Sequence, residues 1–171
     1  MLQNLTDKSA KADVFMRFFE SVFLCQCTVA LYRDNFLLRS SRCQESLYKV
    51  VENFKPSLLT EEFPSKGVAQ LLDADNRPCK SASEATDDEL EGKIVVVCLR
   101  PHRKNVSPED SPGTPAGRKT TRGVYLFLEL KQVGVMTRVL LDRQKFQHET
   151  RFLDHIFSMV EREMLKKTDS K

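Results

Sequence analysis

From Val124 to Leu130 the chain alternates: Val124, Leu126, Leu128 and Leu130 fall on one side, and Tyr125, Phe127 and Glu129 on the other, with Lys131 continuing the second series. A period of two in β-branched, leucine and aromatic residues predicts a strand. Its leucine side should be buried throughout, and its other side buried at the start and wet at the end. Gln132-Val133-Gly134 reads as a turn in which Gly134 is able to take a positive φ without a Cβ clash. Val135 to Leu141 then runs back, with Val135, Thr137, Val139 and Leu141 alternating against Met136, Arg138 and Leu140. Gly123–Leu141 is thus predicted to be a β-hairpin at the centre of a small sheet. A hairpin alone is marginal in water. Lys93–Leu99 supplies a third strand, and its unbroken apolar run predicts burial on both faces.

Spacings of three and four dominate the two ends. A long helix is predicted from Ser9 or Asp13, either of which can cap it. Val14, Phe18, Val22, Cys25 and Val29 form one stripe along it, and Phe15, Phe19 and Phe23 a second. That face is broader than one partner helix covers, so this helix should pack deep on the sheet. Phe36–Leu38 reads as a short strand. Leu47, Val50, Val51 and Phe54 mark a second helix over Ser41–Phe54, and Val68–Leu72 a further short strand before the turn at Asp73–Asn76.

A last helix is predicted within Asp142–Lys167, capped by Asp142 and finished by Lys166 and Lys167 at the negative end of its dipole. Phe146, Thr150, Leu153, Phe157, Val160 and Met164 form its main stripe. Phe152, Ile156 and Met159 form another. A helix that covers a sheet needs one broad face, so this second stripe is the candidate partner-binding surface. The alternative is burial of both stripes between the sheet and the first helix.

Two polar segments interrupt the pattern. Residues 80–92 are acidic, with Leu90 the only core candidate. Residues 101–122 are basic and rich in Ser, Thr, Pro and Gly. Neither offers enough apolar surface to offset the entropy of ordering it, so both are expected to be loops, the second a disordered insertion between two strands. The whole, residues 1–171, is read as one α+β domain. N-terminal helices lead into a mainly antiparallel sheet of three to five strands, and a C-terminal helix packs on the sheet, with the helices on one side.

Composition changes this picture little. Apolar residues make up 40% of the chain and charged residues 30%, and the net charge is +3. That is ordinary for a globular domain and too weakly basic to argue for nucleic acid alone. Five scattered cysteines suit a reducing compartment better than a disulfide framework. Arg17 and Glu20 interrupt the first apolar run, and Ser21–Tyr32 is too short to span a bilayer, so neither a membrane anchor nor a leader is expected.

No P-loop, nucleophile elbow or dinucleotide-binding glycine pattern is present. Cys25-Gln26-Cys27 lacks further ligands at zinc spacing and reads as small apolar residues on the first helix. Cys98 reads as core, and Cys43 and Cys79 as more exposed. His148 and His155 share a helical face without a carboxylate in metal spacing. No catalytic, cofactor-binding or metal site is therefore assigned.

Arg100, Arg103, Lys104, Arg118, Lys119 and Arg122 form a basic patch able to meet phosphates, although no aromatic residue is interleaved for stacking. Ser107, Ser111 and Thr114 each precede proline, and Thr86 precedes Asp87-Asp88-Glu89; all four are candidate phosphorylation sites. The reading is a non-catalytic intracellular interaction subunit, cytoplasmic or nuclear. It would bind protein through the C-terminal helix and sheet and be regulated by phosphorylation of the 101–122 loop. The alternatives are a nucleic-acid-associated protein and, third, an enzyme with a dispersed site.

Overall fold

The structure, a computed structural model, describes residues 2–60, 69–101, 122–142 and 145–169, with side chains described within 11–59, 69–101, 122–142 and 145–166. The fold is α+β. Its elements in order are α1 (Leu2–Phe23), β1 (Cys25–Arg33), β2 (Phe36–Ser40), α2 (Glu45–Asn53), α3 (Ser57–Thr60), β3 (Ala69–Leu72), β4 (Pro78–Ser81), α4 (Asp87–Leu90), β5 (Ile94–Arg100), β6 (Arg122–Leu130), α5 (Val135–Leu141) and α6 (Arg151–Asp169). The six strands form one antiparallel sheet in the order β2-β1-β6-β5-β3-β4, one strand more than the upper expectation.

β6 is central and both its faces behave as its alternation predicts. Val124, Leu126, Leu128 and Leu130 are fully buried against α1, α5 and α6. Tyr125 and Phe127 face the opposite layer, where Leu47, Val51 and Phe54 of α2 and its C-terminal flank cover them. Helices therefore lie on both sides of the sheet, which corrects the one-sided layering. The second layer is held by a cluster of Tyr32, Phe54, Tyr125 and Phe127 rings with centroids 5.2–6.5 Å apart. The Tyr32 hydroxyl donates to the Val51 carbonyl at 2.6 Å, and burial pushes its pKa well up.

Two predicted elements change type, and the changes are coupled. Cys25–Val29 is strand, not the end of the first helix. Leu24 takes a left-handed φ of 56° and stops α1. Cys25, Cys27, Val29 and Leu31 then alternate onto the buried face, and β1 pairs along its whole length with β6, from Cys25↔Leu130 to Arg33↔Arg122. That pairing occupies the edge of β6 that a returning hairpin strand would need. Val135–Leu141 is accordingly a helix, not a strand. Gly134 precedes it with φ −109°, so its freedom to take a positive φ is not used. Thr137 reaches back to accept the Gly134 N–H at 3.1 Å, closing the first turn. Asp142 ends α5 rather than capping the last helix, which begins at Arg151. At the other end of the chain, Ser9 and Asp13 lie inside α1. Asp13 is an anchor instead, accepting from the Arg42 amide at 3.1 Å.

Residues 80–92, expected to be loop, are largely structured. β4, a 3-10 turn at Ala82–Glu84 and α4 bury Ala82 and Ala85 as well as Leu90. Thr86 accepts the Glu89 N–H at 3.2 Å and Glu89 accepts the Thr86 N–H at 2.8 Å, a reciprocal helix cap. The Thr86 amide and then the Lys80 ammonium hold the Glu89 carboxyl below its usual range. The cap's contribution is thus present above the ordinary carboxylate pKa and lost as pH falls through the lowered value.

Arg138 of α5 ties this segment to the body, donating to Asp87 at 2.6 and 3.0 Å and to the Ala85 carbonyl at 2.8 Å. Arg138→Ala should destabilise by about 1 kcal/mol, since the pair is partly exposed but also satisfies a carbonyl. Lys80→Ala, which removes only an exposed pair, should stay within about 0.5 kcal/mol. Urea midpoints compare the two variants.

Candidate protein-binding groove

α1 and α6 lie antiparallel over the leucine-lined face. The Phe19 and Phe157 rings meet at 5.7 Å between them. Towards the start of α1 and the end of α6 the pair leaves an open groove of about 580 Å3. Lys11, Val14 and Phe15 line it from α1, and Met159, Arg162, Glu163 and Lys166 from α6. Each set follows the three-and-four spacing of one helical stripe.

The floor is apolar and open. Val14 is 61% exposed, and Phe18, one turn along the same stripe, is 40% exposed. The stripe Val14, Phe18, Val22 was expected in the core. Of the two expected stripes, Phe19 and Phe23 are fully buried beside Ala12 and Met16, and Val22 and Phe15 are partly buried against the same core, while Val14 and Phe18 face outward. α1 carries more apolar surface than the sheet and α6 can cover, and the surplus faces outward beside α6.

Of the predicted partner-binding residues, Met159 is half-buried in the groove wall. Ile156 is half-buried on the shoulder of the core. Phe152 is 43% exposed on α6 beyond the Phe19–Phe157 contact. Of the predicted partner-binding residues the groove thus takes only Met159, and it joins it to Val14 and Phe15, read from the sequence as core, to Lys166, read as a helix-end cation, and to Lys11, Arg162 and Glu163, which the sequence did not single out. A signal for Val14 and Phe15 existed in the two adjacent apolar stripes of α1, which together are wider than its buried side.

The rim is basic. Lys11, Arg162 and Lys166 face one carboxylate, Glu163, which lies 3.9 Å from Lys166. Among the described residues Lys11 and Arg162 have no ion-pair or hydrogen-bond partner. Arg39 of β2 approaches the same end and donates to the Met164 carbonyl. Burial lowers its pKa and the neighbouring Glu163 opposes that.

The other candidates fare differently. Arg100 donates to the Glu161 carboxylate at 3.1 Å, and Glu161 is only 9% exposed. Arg100 itself stays about half exposed, so this pair anchors one side of its guanidinium at the surface. Arg122 belongs to β6 and is half-buried. Arg103, Lys104, Arg118 and Lys119 lie outside the described residues, as do Ser107, Ser111 and Thr114. Thr86 is exposed, but its hydroxyl holds the α4 cap, so its Thr-x-x-Glu spacing has a structural reason.

The Arg100↔Val124 pairing sets the strands that flank residues 102–121 side by side. Replacing those residues with a short Gly-Ser linker should leave Tm within a few degrees by differential scanning calorimetry, because loop closure depends only logarithmically on length.

A second opening of about 340 Å3 is lined by Glu20, Gln26, Cys27, Arg42, Cys43 and Gln44. Its thiols are not poised to react. The adjacent Cys25 thiol, and then burial, push Cys27 far above the ordinary thiol range; burial raises Cys43. Cys27 donates to the Met16 carbonyl at 3.3 Å and so helps dock β1 on α1. Cys25, Cys27 and Cys98 are buried, Cys43 is half-buried and Cys79 exposed. His148 and His155 are both exposed. Among the described residues no group of three His, Cys, Asp or Glu could hold a metal ion, and no helix is long and apolar enough to cross a membrane. Compared with protein-family models, curated proteins and solved structures, the chain matches none.

Proposed function

We propose that this protein is a non-catalytic interaction subunit of the cytoplasm or nucleus, and that a protein partner seats on the outer face of α1 and α6. The observation that carries the reading is the apolar floor of Val14, Phe15 and Met159, left open between two helices whose inner faces are fully used. Exposed apolar strips rimmed by polar residues mark protein contacts more often than idle surface. Phosphorylation at Ser107, Ser111 and Thr114 belongs to the same reading as its regulation, since each phosphate adds about −1.5 to −2 charge. A nucleic-acid role is not favoured, because no aromatic residue is interleaved with the basic residues to stack on bases.

The test is a photo-crosslinking residue placed at Val14 and, as control, at exposed Lys49 on the opposite layer. The reading expects a polypeptide adduct of defined mass at position 14 and none at 49. Equal labelling at both positions, or adducts to nucleic acid only, would overturn it.

A further inference from the structure

Resting on that protein-binding reading, we propose that the groove takes one amphipathic helix of the partner, apolar on the side facing Val14, Phe15 and Met159 and acidic on the flanks facing Lys11, Arg162 and Lys166.

The groove's own chemistry decides the secondary structure of its occupant. Both walls are α-helices, whose backbone amides and carbonyls are bonded within each helix. They offer nothing to an extended peptide, which would carry unpaired backbone groups into an apolar floor. A helix brings its backbone already satisfied and presents apolar side chains at three-and-four spacing, which is the spacing of both walls. Charge decides the flanks. Three cations face one carboxylate, and Lys11 and Arg162 are unpartnered among the described residues. A second copy docking groove to groove would set these cations against their own equivalents, so self-association by that route is disfavoured.

The experiment uses the full chain and three labelled peptides of about 15 residues, stapled because short helices are marginal in water. One has a leucine stripe with glutamate flanks, and one the same stripe with lysine flanks. The third has the glutamate composition with prolines in place of the staple. Fluorescence anisotropy should show the glutamate helix binding at least about tenfold tighter than either other peptide, which corresponds to about 1.4 kcal/mol. The preference should shrink as salt rises. R162E with K166E should reverse it. Val14→Glu, at a position too exposed to threaten folding, and Met159→Glu should each weaken the glutamate helix about tenfold.

Equal binding of the glutamate and lysine helices, or tighter binding of the proline peptide, overturns the inference while the apolar groove stands. Absence of binding by any peptide, with the Val14 adduct retained, also overturns it and leaves the protein-binding reading intact. An adduct at Val14 with the mass of a dimer of this chain overturns it in favour of a second copy. Loss of both adduct and binding overturns both readings.

Discussion

Phe157→Ala should destabilise the protein by about 3–5 kcal/mol, as removal of a buried aromatic ring does. Phe157 is 3% exposed, meets the Phe19 ring at a tilt of 54° and belongs to the leucine-side core. The loss is a large part of the roughly 5–15 kcal/mol that holds a typical domain together. Thermal and urea unfolding should shift together, with much of the chain unfolded at modest denaturant. The neighbouring stripe should grade rather than follow. Phe152→Glu, at an exposed position, should stay within about 0.5 kcal/mol. Ile156→Glu should fall between, because Ile156 is half-buried against the core. If Phe152→Glu unfolds the domain as Phe157→Ala does, the outer face of α6 is core and the partner surface is lost.

Phe54→Ala should be equally severe, about 3–5 kcal/mol, although Phe54 lies on the other side of the sheet. Its ring meets those of Phe127 at 5.2 Å, Tyr125 at 5.9 Å and Tyr32 at 6.0 Å. Truncation removes one member of that cluster and leaves a cavity under α2. Near-ultraviolet circular dichroism should lose tyrosine signal even where far-ultraviolet signal persists. A change within about 0.5 kcal/mol would mean that the α2 layer is not a core at all, contrary to two-sided packing.

What the sequence made legible was local and strongly periodic. The alternation of β6 specified both its faces because each was filled to its end. The buried run of β5 and the Leu47–Phe54 face of α2 were legible for the same reason. The failures came where two periods fitted one short run. Val22, Cys25 and Val29 suit a helix, but Cys25, Cys27, Val29 and Leu31 suit a strand equally well, and only the distant partner Arg122–Leu130 decides between them. Once β1 holds that edge, Val135–Leu141 has no strand to pair with, so the two changes of type are one physical event. Thr86-x-x-Glu89 has the spacing of a helix cap, but it sits in an acidic run whose composition equally suits a solvated loop. The groove was half legible. Met159 stands out in the sequence as surplus on α6, but the spacing of Val14 and Phe18 suits the core as well as the surface, since periodicity shows that a face is apolar and not which part of it stays uncovered.

The β1–β6 ladder joins residues roughly a hundred positions apart, and the ribosome delivers chain at about 5–20 residues per second. On that scale β1 spends about 5–20 s outside the exit tunnel with only the short β2 to pair with, its apolar face covered by no more than α1. β5 emerges after β3 and β4 and can pair with β3, but it too lacks its central neighbour. The sheet therefore closes late, from the middle, when β6 arrives and joins two waiting halves. Any truncation before Arg122 removes that keystone and leaves both halves with bare edges, a state suited to chaperone capture or aggregation rather than to a smaller folded domain.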